Sequence, residues 1–461
     1  MLKKMNENKI FEELYIAIIF IIALIGWFFK TQYGYMSIAT ITLIVVLLFN
    51  DIKYAIPCGF GLIFSIGTGF TTDQKYGPLI GSAIVYFSVF IIYMIRNGIK
   101  LKNIKSYKGI LLLGILNLIP LIYHNTIKQG IESGALNQSA TSLYILYFGY
   151  LCYAVGYFFF VIILDKNSLR MTFKTLGYMS LILSFECIIY VLTNGFIKAY
   201  RLGWGHVNEA GILILLGLPF LTIGLIKAES KKELILPVIK LLVAIVGIVC
   251  STSRGTYLFG IIEIFVLLVY TFIVSKYRKI LIASAIGILA LALLGIQIKF
   301  GIVPFFNDLI DSVFVRGFYM GDRFRLWKEA FYVWNTDWLT RIFGAGMVGE
   351  LTKPGFEDMN TFIVYHSTFF SALAVTGILG VIALGIHFYE RYRQVKFFDK
   401  NTMIFILIGF VLVDIYGLMD NTYGMYYFMV PIVIFMAAVD SYVAEMGEKI
   451  EIDLRWNDEA N

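Results

Sequence analysis

The sequence predicts an all-α, polytopic transmembrane protein, and three observations carry that reading. Of 461 residues, 59% are hydrophobic and only 15% are charged, against roughly a quarter charged in ordinary globular chains. The apolar residues gather in uninterrupted runs close to the roughly 17–25 residues that a helix needs to cross a bilayer core. Lysine and arginine cluster in the short segments between those runs, as topology signals do. Nothing in the runs alternates polar with apolar as barrel strands would, so helices are the structure that lipid permits here.

In chain order, about fourteen spans are expected, at 14–29, 35–49, 54–70, 78–95, 109–123, 142–164, 175–193, 210–226, 234–250, 256–274, 280–297, 364–386, 402–419 and 425–439. The first run has no small-residue cleavage site after it and reads as a retained span rather than a signal peptide. With the N-terminus in the cytoplasm, the inner segments hold 24 basic residues and the short outer loops 6. The positive-inside rule is then satisfied at every loop, with both termini cytoplasmic. The expected organisation is one membrane domain over 1–461, a large outer loop inserted at 299–365, and a cytoplasmic tail at 440–461. Loops of that length are usually functional.

The same charge placement accounts for the net charge of +7 and leaves no reason to expect nucleic acid as a partner; the bilayer is the expected one. Cys58, Cys152, Cys187 and Cys250 lie in or beside apolar runs, with neither disulfide nor zinc spacing. Glu186, Lys240, Glu263 and Asp414 fall inside spans, with Lys240 and Glu186 read as a structural pair. So few intramembrane charges argue against an ion-coupled transporter. No Walker loop, dinucleotide fingerprint or zinc motif is present, and no metal or cofactor is called for. His124 and His387 read as loop-edge residues.

The outer face carries the residues with chemical content. Within Gly321–Trp338 (GDRFRLWKEAFYVWNTDW), Phe324, Trp327, Phe331, Trp334 and Trp338 fall on one quarter of a helix, which suits a helix lying in the membrane interface. Arg323 borders that stripe beside Trp327, whereas Arg325 points to the opposite side. In Ser251-Thr-Ser-Arg254-Gly255 an arginine stands at the outer mouth between two spans, where its planar fork suits bidentate phosphate recognition. Arg201 to Ala210 (RLGWGHVNEA) places Arg201, His206, Asn208 and Glu209 in one short loop. His366, in Tyr365-His-Ser367, enters the span after the large loop and is a candidate general base.

Taken in order, Ser253-Arg254-Gly255, Arg323-Phe-Arg-Leu-Trp327, Gly344-Ala-Gly346 and Tyr365-His366-Ser367 resemble the O-antigen ligase and O-antigen (Wzy-type) polysaccharide polymerase superfamily. Gly205-His-Val-Asn208-Glu-Ala210 looks like that family's Asn-containing segment, with Val207 where a proline usually stands. The resemblance covers roughly residues 200–385. It implies a GT-C-like, metal-independent glycosyltransferase of the bacterial cell membrane. Such an enzyme moves a glycan, with inversion, from an undecaprenyl-diphosphate carrier to a glycan acceptor hydroxyl on the outer face, alongside other polysaccharide-export proteins. It further implies that Arg254 and Arg323 bind the diphosphate and His366 takes the acceptor proton. Arg201, His206, Asn208, Arg325 and Trp327 are the expected substrate-binding residues. A composition rich in Ile, Lys and Asn leans toward a polymerase; the alternatives are a ligase and a lipid-linked oligosaccharide flippase.

Overall fold

The computed structural model describes residues 9–29, 33–66, 76–99, 102, 104–123, 140–195, 201–202, 205–280, 321–346, 365–422, 426–447 and 450. The chain opens with α1 (Lys9–Phe28), α2 (Tyr33–Phe49), α3 (Ala55–Ile66) and α4 (Tyr76–Asn97). Next come α5 (Lys108–Leu118), α6 (Ala140–Ile163) and α7 (Lys166–Asn194). A two-residue antiparallel pair, β1 (Arg201–Leu202) with β2 (Gly205–His206), leads into α8 (Val207–Thr222). Beyond it lie α9 (Lys231–Cys250) and α10 (Arg254–Val274). The long loop contributes α11 (Gly321–Trp334) and α12 (Trp338–Phe343). The last helices are α13 (Thr368–Val395), α14 (Lys400–Gly417) and α15 (Tyr426–Met446).

Eight of these helices are long and apolar enough to cross a membrane: α1, α7, α8 with its extension to Lys227, α9, α10, α13, α14 and α15. The protein is therefore a multi-pass helical membrane protein. Shorter apolar helices stand where further spans were expected, in α2, α4, α5 and α6. The expected span at 280–297 lies outside the described residues but for 280, as does the large loop apart from 321–346 and 365. Helix α15 runs on to Met446, so position 440, where a tail was expected to begin, is still helical.

Short polar side chains start the helices. Asp165 and Ser168 form a reciprocal capping box at α7. Ser230, Ser253, Ser367 and Asp399 accept from backbone N–H groups one turn on in α9, α10, α13 and α14, satisfying donors that a helix leaves open. Helix α8 is the centre of the bundle: 83% of its most apolar window is buried, against 28% for α10 at the rim. Around α8 and its neighbour α7, small residues let backbones meet. A Cβ on Gly217 of α8 would sit 2.4 Å from the Leu176 carbonyl, and one on Gly247 of α9 would lie 2.2 Å from Ser184.

Several buried charges are paired inside the bundle. Glu12, fully buried, pairs with Lys53, Arg170 and Lys174. Lys240 pairs with Glu13 at 3.2 Å and sits over the Tyr178 ring, so the expected Lys240–Glu186 pair is replaced by one that ties α9 to α1. Asp414 pairs with Arg391, whose guanidinium lies among Phe388, Tyr392 and Phe410. Glu390 of α13 caps α5 from outside, accepting from the N–H groups of Lys108 and Gly109. His387, expected at a loop edge, is instead fully buried in α13 beside Gly109. A long run beyond 386 still satisfies helical packing because α13 buries Glu390 and Arg391 with partners.

Candidate functional site

Three helix starts and one helix end meet at one place in the bundle. Asn208 is the second residue of α8, Ser253 is the N-cap of α10, and His366 immediately precedes Ser367, the N-cap of α13. Tyr416 belongs to the last turn of α14, and Asp420 follows that helix. Helix N-termini present unpaired N–H groups and partial positive charge, so their convergence favours an anion.

The polar side chains form one connected chain. The Tyr416 hydroxyl lies 3.1 Å from Ser253 Oγ, and Ser253 Oγ donates to Asn208 Oδ1 at 2.7 Å. Asn208 Nδ2 donates to Asp420 Oδ2 at 2.9 Å. The other carboxylate oxygen, Oδ1, lies 3.2 Å from His366 Nδ1 and accepts from the Asn421 N–H at 2.9 Å. Ser253 has only one proton to give, so Tyr416 must donate to it. Burial pushes the Asp420 carboxyl up, but the hydrogen bond and charge of His366, then the charge of Arg323, outweigh it and hold it below the usual carboxylate range. An ionised Asp420 can only accept, so His366 donates to it through Nδ1–H, and Nε2 is the ring nitrogen not engaged with Asp420. The His366 side chain is 47% exposed while that of Asp420 is 11% exposed. The imidazole therefore opens outward over a buried carboxylate.

The backbone here is held in an unusual state. Asn50, Thr252 and His366 are the non-glycine residues with positive φ among the described residues, and two of them adjoin this cluster. Each left-handed residue costs about 1–2 kcal/mol, a cost that persists where surrounding contacts impose it. For His366 those contacts are explicit. The N–H of Thr368 donates to the Asp420 carbonyl at 3.2 Å, and the Thr368 and Thr422 hydroxyls meet at 2.9 Å. The turn after α14 is thereby bound to the start of α13.

Helix α11 closes one side. Leu326, Ala330 and Val333 are buried with Ala345, Tyr365 and Ala374, and Trp327 stacks on Phe370 with ring centroids 5.2 Å apart. Phe324 and Phe331 of α11 remain exposed. Trp338, expected on the same helix, instead begins α12 behind its N-cap Asp337, so the expected helix over 321–338 is broken after Trp334. Arg323 is partly buried and its charge acts on Asp420, whereas Arg325 is exposed on the other side. Arg254, the first residue of α10, is partly exposed directly after Ser253.

Of the residues selected from sequence, Asn208, Arg323 and His366 come together around Asp420, and Arg254 enters through its neighbour Ser253. Trp327 acts from behind, through Phe370. Arg325 is not brought in. Arg201 and His206 pair through their backbones just before α8, and their side chains lie outside the described residues. Sequence reasoning passed over Asp420 and Tyr416. Asp420 could have been found, since the expected topology puts it on the same side as His366 and a carboxylate is the usual partner of an imidazole base. The chain matches no protein-family model and no curated protein.

Proposed function

We propose that the protein is a polysaccharide polymerase of the bacterial cell membrane, with about fourteen spans, a GT-C-like architecture and both termini in the cytoplasm. It moves glycan repeat units from an undecaprenyl-diphosphate carrier to a hydroxyl of an acceptor glycan on the outer face. The observation that carries this reading is the His366–Asp420 pair, set among three helix N-termini with Arg323 within electrostatic reach. A base oriented by a buried carboxylate, beside groups that favour an anion, suits displacement of a diphosphate by a hydroxyl.

His366 Nε2 takes the acceptor hydroxyl proton as its oxygen attacks the anomeric carbon from the face opposite the diphosphate. The bond from that carbon to the phosphate oxygen breaks, and its electron pair leaves with the diphosphate. Arg254 and Arg323 neutralise the charge that develops there, and Asp420 steadies the imidazolium as it forms. Asn208 keeps Asp420 in place.

Purified protein in liposomes, given an undecaprenyl-diphosphate-linked repeat unit as donor and acceptor, tests this directly. The expected product is a ladder of repeat units on carrier lipid. A single transfer of a finished chain to a different acceptor would make the protein a ligase. Movement of the lipid-linked unit across the bilayer without new glycosidic bonds would make it a flippase.

A further inference from the structure

Helix α13 is broken near its start. Gly377 has φ 67° and ψ −165°, so the carbonyls of Ala374 and Val375 lose the N–H groups of Ile378 and Leu379 that a continuous helix would bring to them. Those carbonyls are taken instead by a distant segment. The Ala345 N–H donates to the Ala374 carbonyl at 2.7 Å, and the Gly346 N–H donates to the Val375 carbonyl at 3.0 Å. The Tyr123 hydroxyl donates to the Gly344 carbonyl from the far side.

Both flanking glycines are required. Gly344 has φ 79°, and a Cβ on it would lie 2.2 Å from the Val375 carbonyl carbon. A Cβ on Gly377 would lie 2.4 Å from the Ile342 carbonyl oxygen and 2.6 Å from the Gly344 nitrogen. These are backbone contacts that cannot rotate away, and positive φ adds its own strain for any other residue.

We propose that Gly344-Ala345-Gly346, docked on the break at Gly377, is a positioning clip for the active site. It joins the long-loop helices to the first turns of α13, so that Arg323 on α11 and His366 before α13 are carried on one body. The contacts between the two ends of that body agree. Trp327, one turn after Arg323, stacks on Phe370, one turn after His366, and Leu326, Ala330 and Val333 are buried with Ala345, Tyr365 and Ala374. The break separates this body from the rest of α13, which continues to Val395 packed on α5. A device of this kind suits a reaction in which the group neutralising the leaving diphosphate and the group accepting the proton must keep a fixed separation. The catalytic part of this inference rests on the function proposed above; the structural part does not.

The test uses the full-length protein with Tyr123→Phe, Gly344→Ala and Gly377→Ala, read by hydrogen exchange and by transfer kinetics with an undecaprenyl-diphosphate-linked repeat unit. Tyr123→Phe, which loses one hydrogen bond, should speed exchange in 323–343 about fivefold, and the glycine variants more. In all three, kcat/KM should fall while His366→Ala, which removes the base alone, leaves exchange unchanged. A displacement of Arg323 by about 1 Å would cost about 100-fold. If the glycine variants do not give monodisperse protein, Tyr123→Phe decides. Faster exchange confined to 344–346, with 323–343 unchanged, overturns the clip, as does full kcat/KM in a variant whose 323–343 segment exchanges faster. Wild-type protein that transfers no glycan refutes the proposed function and leaves the clip to be judged by exchange.

Discussion

Replacing Arg254 or Arg323 by lysine keeps a positive charge but removes the planar fork that grips two phosphate oxygens at once. Both variants are expected to insert normally and lose most transfer activity, while Arg325→Lys, on the exposed side of α11, should retain it. Greater damage from Arg325→Lys in the same liposome assay would mean that the helix presents its other face to the donor. Asp420→Asn keeps shape and gives up the charge that orients His366, so kcat should fall by about 10²–10⁴ at unchanged protein abundance. The pH dependence of stability follows from the same residue. Because folding lowers the Asp420 pKa, its contribution is full above the unfolded carboxyl value near 4 and is lost as pH falls through the lower folded value. Thermal unfolding between about pH 5 and 3 should therefore be less acid-sensitive in Asp420→Asn than in wild type. Arg323 and His366 could be chosen from sequence because they lie in short motifs whose order carries the resemblance, and such motifs are local information. Asp420 was missed because its meaning comes from three residues far away in the chain, Asn208, Arg323 and His366.

At the level of helices, the buried charges near α1 bear on stability rather than chemistry. Glu12 has no exposed surface and answers three cations on α7 and on the turn before α3. Glu12→Gln removes the shared carboxylate but leaves Lys53 with Asp51 and Lys174 with Glu13, and should cost about 1.5–3 kcal/mol, seen as a lower unfolding temperature in detergent. The surviving protein should transfer glycan at the normal rate per molecule; a selective loss of kcat would tie this network to the reaction. Such pairings are hard to read in advance. Lys240 was assigned to Glu186 because both lie in spans, but helix rotation turns it to Glu13. The clip was half legible: Gly344-Ala-Gly346 stood out as a motif, while Gly377 looked like one more glycine in an apolar run. Only the backbone shows that each glycine makes room for the other.

Across the whole molecule, hydrophobic runs carried most of the fold, because a spanning helix must satisfy its own backbone and so depends little on distant contacts. Boundaries were less legible where a helix runs on beyond its expected apolar stretch, as α13 and α15 do where buried polar groups find partners. Topology remains testable by single cysteines and an impermeant thiol reagent. Positions near 130, 200 and 254 should label from outside, and positions 100, 170, 230 and 395 only after the membrane is opened; outside labelling at 100 or 395 would invert the arrangement. The central claim, outer-face polymerisation through His366, is tested most directly by the size of carrier-linked glycans in cells, resolved by mass spectrometry. A deletion strain and a His366→Ala strain with normal protein abundance should both accumulate single, unextended repeat units on the carrier. Long polymer still attached to the carrier in the deletion strain, or normal ladders from His366→Ala, would contradict it.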